Sequence, residues 1–179
     1  MRIRILKKFP TRIESVFFLK RVGCNQKVIE HSKTVSKYAV EIADICQKKR
    51  NINKQLVEIG ALLHDVGRAL TNDVRHAVLG AALIRAADFH EDLVNLVERH
   101  IGAGIPKEEA RKLGLPPKSY MPKKIEEKIV SYADKLIRGK KRITPAEAIN
   151  DISHKLGPRH PAIKRFENLD KEIRSLMDA

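Results

Sequence analysis

From Thr11 onward, apolar residues recur at spacings of three and four and hardly ever at two. That period belongs to α-helices that bury one face, and it excludes a sheet as the core. The segment ends carry matching chemistry. Thr11-Arg12-Ile13-Glu14 and Thr144-Pro145-Ala146-Glu147 are capping boxes, in which hydroxyl and carboxylate satisfy each other's orphan backbone amides. Asn25, Asn53 and Asp73 are placed to cap further helices, and His90 or Glu91 to open another. Gly23, Gly139, the broken Gly102–Pro106 stretch and Pro116-Pro117 supply stops. The spacing predicts helices over 11–22, 26–49, 54–65, 73–87, 91–100 and 107–113, one from Pro122 to Arg138, and two over 144–178. No strand is expected. The fold class is all-α, a compact multi-helix bundle, and 179 residues fit a single domain spanning 1–179.

Several polar residues interrupt the apolar faces. His31 lies between Val28 and Val35 on the stripe that continues to Cys46. Asp134 lies between Val130 and Ile137, His100 follows Leu93, Leu96 and Val97, and His76 precedes Leu79, Gly80 and Leu83. His64-Asp65 closes the apolar run Ala61-Leu62-Leu63. An unpartnered buried polar group costs ~2–7 kcal/mol, and a charge costs more. Each residue alone has a plainer explanation: a core histidine finds a hydrogen bond, and Lys135 or Arg138 neutralises Asp134. Six such residues from five helices are more simply explained by one shared site. Imidazole and carboxylate are the donor set of Zn, Fe, Mn, Ni or Co. Gly67 permits a sharp turn after Asp65, and Arg68 then stands where its planar fork can hold a phosphate. Arg138, four residues past Asp134, is expected on the same helix face as a second substrate contact, or else as a solvated cation at the helix end.

Charge narrows the partner. The net +14 favours an anion, whether nucleotide, polyphosphate or nucleic acid, although Lys/Arg-rich surfaces also accompany heat adaptation. With 4% aromatic residues and no Trp, a stacking platform for single strands is poorly supplied. The basic tract Lys135–Arg142 is the strongest candidate RNA patch, against the ordinary alternative of a solvated face. Cys24 and Cys46 are too few for a cysteine zinc site and read as reduced, partly buried thiols. Residues 1–9 are basic with no apolar signal region behind them, and no run approaches the ~20 apolar residues of a membrane span. A cytoplasmic protein without membrane contact is expected.

The ordered set His31, His64-Asp65, Asp134, together with His64-Asp65-Val66-Gly67-Arg68 and Ala133-Asp134-Lys135, resembles the HD-domain superfamily of metal-dependent phosphohydrolases. The resemblance covers 24–139. It implies that His31, His64, Asp65 and Asp134 hold one divalent metal. His76 and His100 stand where the dinuclear subset adds two ligands, which implies a second ion and a bridging Asp65. His100-Ile101 replaces the His-His pair of many phosphodiesterase members, which disfavours that branch. The implied reaction is hydrolysis of a phosphate ester or anhydride, the implied substrates being nucleotides or dinucleotides, with Asp65 and Arg68 as catalytic groups and Arg68 and Arg138 on the substrate. Two readings stand beside it: a di-iron oxygenase with the same ligands, and a non-catalytic metal-containing RNA-binding protein. The broken Gly102–Pro117 stretch is a candidate wall or lid. His90, His154 and His160 read as surface or capping residues. Substrate, metal identity and oligomeric state stay open.

Overall fold

The computed structural model describes residues 8–178, so most of the basic stretch 1–9 lies outside the described residues. Helices α1 (Arg12–Arg21), α2 (Gln26–Cys46) and α3 (Lys54–Leu63) come first. A short 3-10 turn (Val66–Ala69) leads to α4 (His76–Ala86), α5 (Glu91–Arg99), α6 (Lys107–Lys112) and α7 (Ile125–Lys135). A two-stranded hairpin, β1 (Ile137–Arg138) and β2 (Lys141–Arg142), precedes α8 (Pro145–Leu156) and α9 (Pro161–Met177). The all-α class holds. Both capping boxes form, and Asn25 and Asn53 cap α2 and α3 through their side-chain oxygens.

Helix α3 is the centre of the bundle and packs on α1, α2, α5 and α7. Leu56, Val57, Ile59, Leu62 and Leu63 are buried on it. Gly60 lets α5 approach: a Cβ there would stand 2.4 Å from Leu96 Cδ1. Gly67 plays a different part from the one expected. Its φ is not positive, so the turn does not demand glycine. The demand comes from packing, because a Cβ would lie 1.9 Å from the His76 carbonyl oxygen and 2.6 Å from Gly80 N. The 3-10 turn and the start of α4 thus touch backbone to backbone, which sets Asp65 beside His76.

Three expectations are corrected. Asp73 does not cap α4 as an N-cap; α4 starts at His76, and the Asp73 carboxylate holds Arg75. Helix α7 ends at Lys135, not Arg138. The Leu136 N–H bonds back to Tyr132 and Ala133, and Gly139 (φ 65°) takes the first position of a two-residue hairpin turn instead of terminating the helix. Arg138 is therefore on a strand, and its relation to Asp134 is not helical. The third correction follows: a strand pair does exist, too short to show a period-two pattern. Cys24 and Cys46 are unpaired and buried, and burial pushes the Cys24 thiol up to about 11. Among the described residues no helix is long and apolar enough to cross a membrane.

Candidate metal centre

The six expected residues converge, delivered from a helix interior, from helix ends and from a turn. His31 comes from within α2 and Asp134 from the last turn of α7. His64 is the C-cap of α3, and Asp65 precedes the 3-10 turn. His76 is the first residue of α4, and His100 is the C-cap of α5. The C-terminal ends of α3 and α5 leave carbonyls without intrahelical partners, which His64 and His100 use, while His76 at the start of α4 reaches the Asp73 carbonyl ahead of the helix.

Every one of the four imidazoles commits Nδ1 to a backbone carbonyl. His64 donates to Ala61 O at 2.7 Å, His76 to Asp73 O at 2.6 Å, His100 to Val97 O at 2.7 Å, and His31 to Gly139 O at 3.3 Å. A carbonyl only accepts, so Nδ1 carries the proton, and in a neutral ring Nε2 is left as a lone pair. All four Nε2 atoms face the cluster. Nε2 of His76 and Nε2 of His100 stand 3.1 Å apart. His31 Nε2 is 3.0 Å from Asp134 Oδ1. His64 Nε2 is buried without a hydrogen-bond partner, 3.5 Å from Asp134 Oδ1 and 3.6 Å from Asp65 Oδ2. Acceptors crowded on acceptors require a cation between them, either protons or a metal ion.

The carboxylates divide the cluster in two. Asp65 Oδ2 faces His64, and Oδ1 lies 3.1 Å from His76 Nε2 and 3.5 Å from His100 Nε2. Donor atoms of His31, His64 and Asp65 lie within 4.8 Å of one another, as do those of Asp65, His76 and His100. Asp65 belongs to both groups.

Electrostatics follow from burial among like and unlike groups. Burial opposes a charge on His64, but Asp65 and Asp134 outweigh it and raise its pKa to about 9. Burial acts unopposed enough on His100 to lower it to about 4 despite Asp65. Burial would raise Asp65, yet the His64 charge and the close imidazoles of His100 and His76 hold it well below the carboxylate range. Lys135 and the histidines do the same for Asp134 against its burial.

The two arginines are placed unequally. Arg68 donates through Nε to Asp65 Oδ1 at 3.1 Å and through Nη1 to Asn72 O at 2.8 Å, at the edge of the cluster. Arg138 is exposed and pairs with Asp151 at 2.8 Å. It reaches no ligand, but it lines a cavity of about 440 Å³ that also touches Asp134. Lys135 is the group that sequence reasoning undervalues: its Nζ holds Asp134 Oδ2 at 3.0 Å and it lines the same cavity. The signal was a cation next to the last carboxylate. His90 and His160 cap α5 and α9 through Nδ1, as expected, and His154 is a surface residue of α8.

The sequence profile of the HD domain family matches residues 28–139, which contain all six converging residues. The chain belongs to the HD domain family. An uncharacterized protein of Methanocaldococcus jannaschii is 48% identical over 155 residues, covering 86% of this chain and 92% of that protein. A tRNA (cytidine(56)-2'-O)-methyltransferase of Picrophilus torridus is 38% identical over 173 residues, 97% of this chain but 49% of that enzyme. The chain thus spans about half the length of that relative, and methyl transfer is a different activity from the one expected of an HD domain. Among solved structures, the HD domain of the L. monocytogenes phosphodiesterase PgpH in complex with cyclic-di-AMP superposes with a TM-score of 0.53 at 19% identity, covering 89% of this chain and 95% of that one. That likeness gives the HD fold.

Proposed function

We propose that this HD domain is a metal-dependent phosphohydrolase that cleaves a phosphate ester or anhydride of a small nucleotide with water as nucleophile. The observation that carries the reading is the orientation of the four imidazoles. Each spends its Nδ1 proton on a carbonyl and turns Nε2 toward two buried carboxylates. The donors fit one ion held by His31, His64, Asp65 and Asp134 and a second held by Asp65, His76 and His100. When bound, such divalent ions polarise a phosphoryl oxygen and bring the pKa of a water toward neutrality. Metal identity is left to availability, since Mn, Fe, Ni, Co and Zn all accept this donor set.

The chain's own residues have separable tasks. Asp65 offers one oxygen to each group of histidines and so fixes their separation. Lys135 holds Asp134 Oδ2 and thereby leaves Oδ1 toward His31 and His64. Arg68 keeps its charge beside Asp65, where it opposes negative charge developing on a phosphoryl group. The PgpH neighbour carries a cyclic dinucleotide, a small phosphorylated ligand of the kind proposed here.

The ion pairs of the basic tract speak against the RNA-binding alternative. Within Lys135–Arg142, Lys135 pairs with Asp134, Arg138 with Asp151, Lys140 with Glu30 and Arg142 with Glu41. A tract neutralised at four positions is a weak polyanion surface.

The test is metal content on chelator-free protein followed by a phosphatase and phosphodiesterase screen with Mn²⁺, Co²⁺ or Ni²⁺. Phosphate release that disappears in Asp65→Ala is the expected result. Dioxygen uptake by iron-loaded protein without hydrolysis of any phosphate ester would overturn the reading in favour of an oxygenase.

A further inference from the structure

The cavity beside Asp134 is walled in part by residues beyond the family match, chiefly those of α8. Ile101, Gly102 and Ala103, which follow directly on His100, form one side. The hairpin contributes Ile137 and Gly139, and helix α8 contributes Ala148, Ile152 and Leu156. The space therefore opens between two ligand-bearing segments, the end of α5 and the end of α7. It is the Ile101–Ala103 part of the broken stretch that acts as a wall.

Its polar groups are sorted by depth. Lys135 and Asp134 are the well-covered ones, with side-chain exposures of 31% and 12%. The Arg138–Asp151 ion pair is the outer one, at 54% and 40%. Between them the walls are aliphatic except for Lys155, an exposed cation on α8. A second phosphate resting against the aliphatic part of those walls would lose its hydration without a partner, Lys155 being out at the exposed face of α8. An uncharged flat group would not, and branched aliphatic side chains from separate segments, Ile101 after α5 and Ile152 on α8, suit the two faces of a heterocycle. At the rim, the Arg138 guanidinium offers donors and the Asp151 carboxylate an acceptor, the pair of chemistries that reads the edge of a base. About 440 Å³ lies at the lower end of small-ligand pockets, on the scale of one nucleoside rather than two. No aromatic side chain lines it, so a stacked strand finds no platform.

We infer that the hairpin and α8 form a specificity pocket for the nucleoside of a mononucleotide, with Ile152 and Leu156 as its α8 wall and Arg138–Asp151 as its reading edge. The inference deepens the phosphohydrolase reading and rests on it for the placement of the phosphate at the metal centre. It replaces the helical relation once expected of Arg138 with a role at the far end of the substrate.

Titration calorimetry of Mn²⁺-loaded protein with each of the four ribonucleoside 5′-monophosphates, and with inorganic phosphate, separates the two claims. At least one mononucleotide should bind about tenfold or more tighter than inorganic phosphate. Ile152→Trp, which fills the pocket, should erase that advantage while inorganic phosphate affinity stays within about twofold. Leu156→Trp, at a side chain that is 52% exposed, provides a second filling variant that leaves the core untouched. Mononucleotides binding no tighter than phosphate, or an advantage that survives both substitutions in folded protein, would overturn the pocket. A pocket that behaves as expected in a protein that hydrolyses no phosphate ester would instead sink the phosphohydrolase reading. Hydrolysis without a mononucleotide advantage would leave that reading standing and remove the pocket.

Discussion

Oδ1 of Asp65 stands 3.1 Å from Nε2 of His76. The other oxygen of the same carboxylate faces His64, so one side chain joins two sets of imidazoles. If each set holds an ion, the two kinds of ligand respond differently to removal. Asp65→Ala should strip both ions and take hydrolysis to background. His76→Ala or His100→Ala should halve the bound metal, measured by elemental analysis of dialysed protein. Full metal content in both histidine variants would show that the second set is not a metal site.

His64 is the residue for which proton and metal compete. Its neighbouring carboxylates raise its pKa from 6.5 to about 9, so in the metal-free protein at pH 7 the ring carries both protons. Nε2 must lose one before it can act as a ligand. Metal uptake at pH 7 should release about one proton from this group, and apparent affinity should climb roughly tenfold per pH unit before levelling above the folded pKa. His100, lowered to about 4, has no proton to give at pH 7. The sign for stability runs the same way. A raised pKa stabilises the metal-free fold fully below the unfolded value of 6.5, and that contribution fades as pH rises through about 9. Calorimetry in buffers of different ionisation heat counts the protons; no buffer dependence at pH 7 would contradict the mechanism.

What the amino-acid order makes legible here is the first layer of the site. His31, His100 and Asp134 stand out because polar groups on apolar helix faces need a partner, and their convergence follows from that need. The carbonyls that orient the rings are not legible, because Asp73 O and Val97 O exist at every residue and only the fold brings them into reach. Arg138 illustrates a competing signal. Gly139 satisfies both a helix stop and a hairpin turn, and the turn prevails because the Ile143 N–H can extend the pairing to Leu136 O. The α8 wall is silent in sequence, since Ile152 and Leu156 read as any amphipathic helix does. Gly67 is visible as a glycine, but its cause, the carbonyl of His76, is tertiary.

That cause gives a stability prediction. A Cβ on Gly67 would overlap His76 O at 1.9 Å, and both partners are backbone, so neither yields by rotating a side chain. Gly67→Ala should destabilise the protein by about 3 kcal/mol or more, at or beyond the upper range for overpacking. It should also weaken the His76 side of the cluster first. Gly102→Ala is the contrast: φ is 60° but no atom lies within 4 Å, so only backbone strain of about 1 kcal/mol applies. Equal melting shifts in the two variants would refute the packing account.

Arg68 allows two roles to be told apart. Its Nε holds Asp65 Oδ1 at 3.1 Å, and its Nη1 is tied to Asn72 O. A group that only props Asp65 would, on removal, lower metal affinity and leave kcat of the fully loaded enzyme nearly intact. A group that also meets the developing phosphoryl charge would lower kcat by about 10²–10³-fold with metal content unchanged, the size seen for loss of one preorganised donor. The second pattern is expected for Arg68→Ala. Arg68→Lys should recover only part of the loss, since an ammonium keeps the charge but not the planar fork. Steady-state kinetics at saturating metal, paired with metal analysis of the same samples, decides between them.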